Sequence, residues 1–217
     1  MRIFVGAALF VLVAGSGWGQ MHREDIEWCD VWMPNQNRHD LPQVMLIGDS
    51  ITRAYFSGVE ESLKGKAYVS RIATSKALGD PALLNEIGLF LQEVKADVVH
   101  VNVGMHGWGY SEAEYRAAFP GLIAAIAKNA PGARIIWAST TPVRKDREGG
   151  ATNARIVERN RIAREAAAAA GIPVDDLHAL MLPHADLHSD DIHFSKDGSL
   201  LMAEQVAREV VKVLPAK

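Results

Sequence analysis

Val44-Met45-Leu46-Ile47-Gly48-Asp49-Ser50-Ile51 is the stretch on which the reading of this chain turns. Four apolar residues in a row, without alternation, suit a strand buried on both faces, as the strands of a parallel sheet are. Gly48 permits a tight turn. From Ile51 to Leu63 the apolar residues recur at helical spacing, so strand passes into helix across Gly48-Asp49-Ser50.

The same alternation continues outward from this unit. Ala67-Tyr68-Val69 reads as a second strand, leading into a loop at 73–79. Pro81 opens a helix, at the position where proline suits the first turn, and Leu83, Leu84, Ile87 and Leu91 share one face. Residues 97–103 form a third strand. Ser111 and Glu114 make a capping-box pattern before a helix that Pro120 is expected to kink or restart. Residues 133–138 give a fourth strand, 152–170 a helix ended by Gly171, and 172–174 a short fifth strand. Ser195 caps a last helix. Apolar strands alternating with amphipathic helices predict an α/β fold, a three-layer α/β/α sandwich on a five-stranded, mainly parallel, flavodoxin-like sheet. Functional groups of such sheets gather beyond the carboxyl ends of the strands.

Upstream of this unit the pattern changes. Met1 and Arg2 give a positive start, residues 3–14 an apolar run, and residues 15–20 small residues at which a peptidase can cut. These are the three parts of a secretory signal peptide, with residues 1–19 removed after Gly19. The run is too short for a permanent span of about 20 residues, although an uncleaved anchor is the alternative. Residues 20–42, polar and without a clean period, read as an ordered N-terminal arm. Residues 43–217 form one domain. The expected place is outside the cytoplasm, periplasmic or secreted, with no stable membrane insertion after cleavage.

Composition narrows the partners. Of 217 residues 48% are hydrophobic, enough for a sizeable core, and the net charge is only −3. No basic block interleaved with aromatics is present, which excludes nucleic acid as an expected partner. The single cysteine, Cys29, has no internal disulfide partner, so the chain relies on its core.

Two segments carry chemistry. Ser50 sits on the strand-to-helix turn, where the unpaired N–H groups of the helix start can stabilise developing negative charge. Asp190-Asp191-Ile192-His193 places an acid three residues before a histidine. Asp190 can reach back to the imidazole Nδ1–H, leaving Nε2 to take a proton from serine. Each signal alone is weak, since serine is a common helix cap and Asp-x-x-His occurs in surface loops. His184 and His188 lie nearby, but Pro183 and Asp186 argue for a loop and no glutamate completes a zinc-hydrolase helix, so no metal is expected.

Taken together and in this order, the two segments resemble the SGNH/GDSL hydrolase family. Ile47-Gly48-Asp49-Ser50-Ile51-Thr52 is similar to that family's nucleophile segment. Ser189-Asp190-Asp191-Ile192-His193-Phe194 is similar to its acid–base segment. The resemblance runs from about Val44 to the C-terminus and implies a serine esterase with Ser50, Asp190 and His193 as catalytic residues and no cofactor. Two inner segments diverge. The family's oxyanion glycine after the second strand falls in Arg71-Ile72-Ala73-Thr74-Ser75-Lys76, where Ser75 is the best-placed backbone donor and Ala73 the second. The family's Gly-x-Asn-Asp becomes Gly104-Met105-His106-Gly107, so His106 takes the asparagine position. The expected oxyanion hole is therefore Ser50, Ser75 and His106. Asn102 is an alternative amide donor.

Trp108, Tyr110, Asp49 and Asn102 are the expected substrate-binding residues. The two rings suit stacking on a sugar face, and packing of Trp108 onto the domain is the structural alternative. The expected substrate is a small-molecule or glycan ester, with removal of acetyl or other short acyl groups from a carbohydrate. The alternatives are a lipid esterase, lysophospholipase or thioesterase of the same fold, and a non-catalytic glycan-binding module.

Overall fold

The structure, a computed structural model, describes residues 21–215. The expected signal segment, residues 1–19, lies outside them. No helix among the described residues is long and apolar enough to cross a membrane.

The chain runs β1 (Cys29–Trp32), β2 (Gln43–Gly48), α1 (Ser50–Ser62), β3 (Tyr68–Thr74), α2 (Pro81–Glu93), β4 (Val98–Asn102), α3 (Glu112–Asn129), β5 (Arg134–Ala138), α4 (Asn153–Ala169), β6 (Val174–Asp175), α5 (Leu177–Met181) and α6 (Lys196–Val213). The sheet has the order β1-β3-β2-β4-β5-β6. The five strands from β2 to β6 are parallel, as the apolar runs predict, and β1 pairs antiparallel with β3. Among the described residues the sheet thus has six strands, one more than the expected five. The arm supplies the extra one, and its sequence, Cys-Asp-Val-Trp, hides the fact. An edge strand with no residue fully buried carries neither an unbroken apolar run nor an alternation. Its register is held by the backbone ladder and by Arg71, which donates to Asp30 at 2.7 Å.

β2 lies at the centre because both its faces are apolar. Val44 and Leu46 pack towards α1 and α6 with Tyr55, Val59 and Val206. Met45 and Ile47 pack towards α2 and α3 with Leu83, Ile87 and Phe119. Each of these strand side chains is fully buried, worth about 1.5–3 kcal/mol apiece relative to exposure. The capping box of α3 forms as its sequence predicts, with Ser111 N–H donating to Glu114 and Glu114 N–H to Ser111 Oγ. Pro120 does not restart α3, which runs unbroken to Asn129. Beneath the C-terminal helix, buried His100 meets Asp175 Oδ2 at 3.0 Å, and Gln205 of α6 donates to Asp175 Oδ1 at 2.7 Å. That chain ties β4 and β6 to α6, whose N-terminus carries the loop bearing His193.

Candidate active site

The turn after β2 requires glycine at 48. A Cβ there would lie 1.9 Å from Thr52 Oγ1 and 2.7 Å from the carbonyl oxygen of Asn102. Asp49 follows as the N-cap of α1, its Oδ1 accepting from Ile51 N–H at 2.9 Å. Ser50 is then the first helical residue, with a backbone N–H that the helix itself leaves unpaired.

The loop before α6 closes on itself. His188 and Phe194 form an antiparallel bridge, and Ser189 N–H donates to the His193 carbonyl at 2.8 Å. The tight loop brings residue 190 back onto residue 193. Asp190 Oδ1 accepts from the N–H groups of Ile192 and His193, both at 2.7 Å, while Oδ2 meets His193 Nδ1 at 2.8 Å. His193 Nε2 lies 2.8 Å from Ser50 Oγ, across 143 residues of chain. Burial works against the Asp190 charge. The two backbone N–H groups and the imidazole outweigh it and hold the carboxyl well below the usual carboxylate range. Asp190 is therefore an acceptor at neutral pH, so His193 carries its proton on Nδ1 and presents a lone pair on Nε2 to the serine.

These residues open onto a cavity of about 390 Å³ whose lining includes Ser50, His193, His106, Glu24, Trp108 and Arg147. Its floor at 104–110 is a loop of special geometry. Gly107 has φ +73, and a Cβ at that position would meet Ala77 Cβ at 2.2 Å. Arg159 of α4 clamps the loop from below. Its guanidinium, 1% exposed, donates to the carbonyls of His106 at 3.2 Å and of Gly107 and Tyr110 at 2.9 Å. The guanidinium carbon lies 4.2 Å from the Trp108 ring centroid and 4.9 Å from that of Tyr115.

Several expected site residues do something else. Ser75 cannot serve as an oxyanion donor, because its N–H donates to the Trp28 carbonyl at 3.1 Å. Its hydroxyl is also engaged, donating to Glu27 at 2.8 Å and accepting from Trp28 N–H at 2.9 Å. The arm has taken the position that the resemblance assigned to substrate. Asp49 is 2% exposed and committed to capping α1, and Asn102 is 2% exposed at the end of β4, so neither reaches substrate. Tyr110 is buried against His22, whose N–H donates to its hydroxyl at 3.2 Å, so its ring offers no face to a sugar. Trp108 does line the cavity, but its indole N–H donates to the Met105 carbonyl at 2.7 Å and its ring covers Arg159. Its role is divided between wall and packing.

Three contributors escaped the sequence reading. Arg159 carried a signal: with Ile156, Asn160 and Ala163 it falls on the buried face of α4, where a lone cation needs a purpose. Glu24 and Arg23, both on the cavity wall, belong to the aperiodic arm and carried none.

Comparison with known proteins places this arrangement. The chain matches the GDSL-like lipase/acylhydrolase family over residues 46–201. No curated protein matches it in sequence. Among solved structures it is similar to a lipase/acylhydrolase from Enterococcus faecalis, with a TM-score of 0.68 at 22% identity over 82% of this chain and 99% of that one. It is similar to an acetyl xylan esterase, AlAXEase, with a TM-score of 0.62 at 20% identity over 77% and 99% of the two chains. A carbohydrate esterase family 3 protein from Talaromyces cellulolyticus gives a TM-score of 0.62 at 17% identity over 79% and 97%. At these identities the likeness is one of fold. The match across residues 46–201 takes in the nucleophile turn, the inner loops and the acid–base loop, and on it the chain belongs to the GDSL-like lipase/acylhydrolase family, a family of ester hydrolases.

Proposed function

We propose that the protein is a serine esterase that removes acetyl or other short acyl groups from a carbohydrate by a Ser-His-Asp mechanism. One observation carries this reading: the unbroken hydrogen-bonded chain from Ser50 Oγ through His193 to Asp190 at the wall of a cavity. His193 Nε2 removes the serine proton as Ser50 Oγ attacks the ester carbonyl, and Asp190 orients and stabilises the imidazolium that results. The tetrahedral oxyanion is met by the Ser50 N–H and by the imidazole of His106. His193 then protonates the leaving alcohol, and water releases the acyl group by the reverse sequence. No cofactor takes part.

The cavity argues for a small acyl group on a polar alcohol. About 390 Å³ is near the lower end of the range for ligand pockets, and Arg23, Glu24, His106 and Arg147 are in its lining. The fold shared with an acetyl xylan esterase and a family 3 carbohydrate esterase agrees with that substrate class. The pattern of residues 1–19 adds export from the cytoplasm to the proposal.

A chromogenic ester series tests it. We expect kcat/KM for an acetyl ester to exceed that for an octanoyl ester by about tenfold or more, since a short pocket rejects added methylenes. Release of acetate from an acetylated oligosaccharide is expected to follow the same order. A strong octanoyl preference would make the protein a lipid esterase. Glycan binding without hydrolysis of any ester would make it a binding module.

A further inference from the structure

The N-terminal arm does more than add an edge strand. It crosses the two loops that the family uses for oxyanion stabilisation and delivers a carboxylate to each, Glu27 to Ser75 and Glu24 to the loop at 106–107. Glu24 Oε2 meets His106 Nδ1 at 2.9 Å, and Glu24 Oε1 accepts from Gly107 N–H at 3.3 Å. Trp28 packs edge-on to the same imidazole, with centroids 6.2 Å apart. His106 Nε2 makes no hydrogen bond to any described residue, and the ring lines the cavity that contains Ser50. We propose that Glu24 is a positioning residue for the esterase reaction: its carboxylate anchors His106 through Nδ1–H and leaves Nε2 as the ring's donor to the oxyanion.

The proposal rests on the esterase reading and follows from proton bookkeeping. A carboxylate only accepts, so Nδ1 must carry a proton. A neutral ring would then offer a lone pair at Nε2, which repels an oxyanion. His106 can donate from Nε2 only as the imidazolium, with both nitrogens protonated. Burial opposes that cation, but the Glu24 hydrogen bond and the nearby carboxyl groups of Asp49, Glu24 and Glu27 raise its pKa above the usual histidine value; burial also pushes Asp49 up, so the Glu24 hydrogen bond leads. Glu24 stays ionised, because burial is outweighed by His106 and by Gly107 N–H, and its pKa is lowered. The other charged groups about the ring are His193, Arg23 and Arg147 on the cavity wall and Arg159 beneath the His106 carbonyl. Glu24 borders the cavity and leaves it open.

The sign of the pH effect follows. The donor form of His106 is present below its pKa and is lost as pH rises through it, giving turnover a descending alkaline limb. His193 acts as base through an unprotonated Nε2 and keeps its Asp190 partner in both Glu24 variants. Glu24→Gln keeps an acceptor for Nδ1–H but removes the charge, so the alkaline limb should move to lower pH. We expect kcat at pH 8 to fall by about 10–100-fold with KM nearly unchanged, and Glu24→Ala to fall at least as far. Thermal stability should change little, because the Glu24 side chain is partly exposed.

The experiment is a set of kcat–pH profiles for the wild type, Glu24→Gln and Glu24→Ala, together with NMR titration of the His106 ring in the wild type and Glu24→Gln. A shifted alkaline limb with a matching shift in the His106 titration supports the proposal. Identical profiles overturn it, as does increased turnover, which would make the arm a plug. Should the wild type hydrolyse no ester, the esterase reading fails on its own, and the ring titration still decides whether Glu24 controls His106: the same midpoint in both proteins overturns the proposal.

Discussion

Ser50→Ala should lower kcat by about 10⁴–10⁶-fold, the range seen when the nucleophile of a serine hydrolase is removed, equivalent to about 5–8 kcal/mol of barrier. The fold should not notice. The cap of α1 is supplied by Asp49, whose carboxylate binds Ile51 N–H, and not by the Ser50 hydroxyl. Stability should therefore stay within about 0.5 kcal/mol of the wild type. KM should change little, because the substrate is held by the cavity wall. Residual turnover above the uncatalysed rate would reflect the oxyanion donors, which survive the change. Steady-state kinetics on the acetyl ester, with thermal unfolding of the same samples, checks both halves. Turnover within tenfold of the wild type would move the chemistry to another group.

Arg159→Met is expected to have the largest effect on stability, about 3–5 kcal/mol, by thermal or urea unfolding. The guanidinium serves three carbonyls of the 106–110 loop and also approaches Glu112 Oε1 at 3.6 Å. Methionine fills most of the space but satisfies none of those acceptors, and a buried acceptor without a donor costs about 1–3 kcal/mol. Set against a total stability of about 5–15 kcal/mol, the loss is large. His106 and Gly107 hang on the same clamp, so the surviving folded protein should also lose turnover, by about tenfold or more. Arg159→Lys should recover only part of either, since an ammonium cannot fork across three carbonyls. Wild-type stability and turnover in Arg159→Met would mean that the loop holds itself.

The parallel core was legible because its signal is local. Val44–Ile47 is apolar on both faces, and α1, α2 and α6 repeat a 3.6-residue period. β1 was not legible, because an edge strand of four partly exposed residues has no pattern to show. The nucleophile turn and the acid–base loop are each a few residues long, so their sequences carry their geometry. Asp190 reaches His193 because a tight loop returns three residues on. The oxyanion region failed at Ser75 for the opposite reason. Nothing within residues 71–76 announces that Trp28, 47 residues upstream, claims the Ser75 N–H and hydroxyl. Asp49, Asn102 and Tyr110 were placed on the cavity by their nearness in sequence to it. The structure turns their side chains into a helix cap, a strand end and the packing of the arm.

The central claim is that Ser50 is activated by His193, and covalent labelling tests it most directly. The protein is incubated with a fluorophosphonate, and the adduct is located by mass spectrometry of its peptides. One adduct per chain is expected, on Ser50, formed far more slowly in His193→Ala. An unmodified Ser50, or equal labelling rates with and without His193, would contradict it.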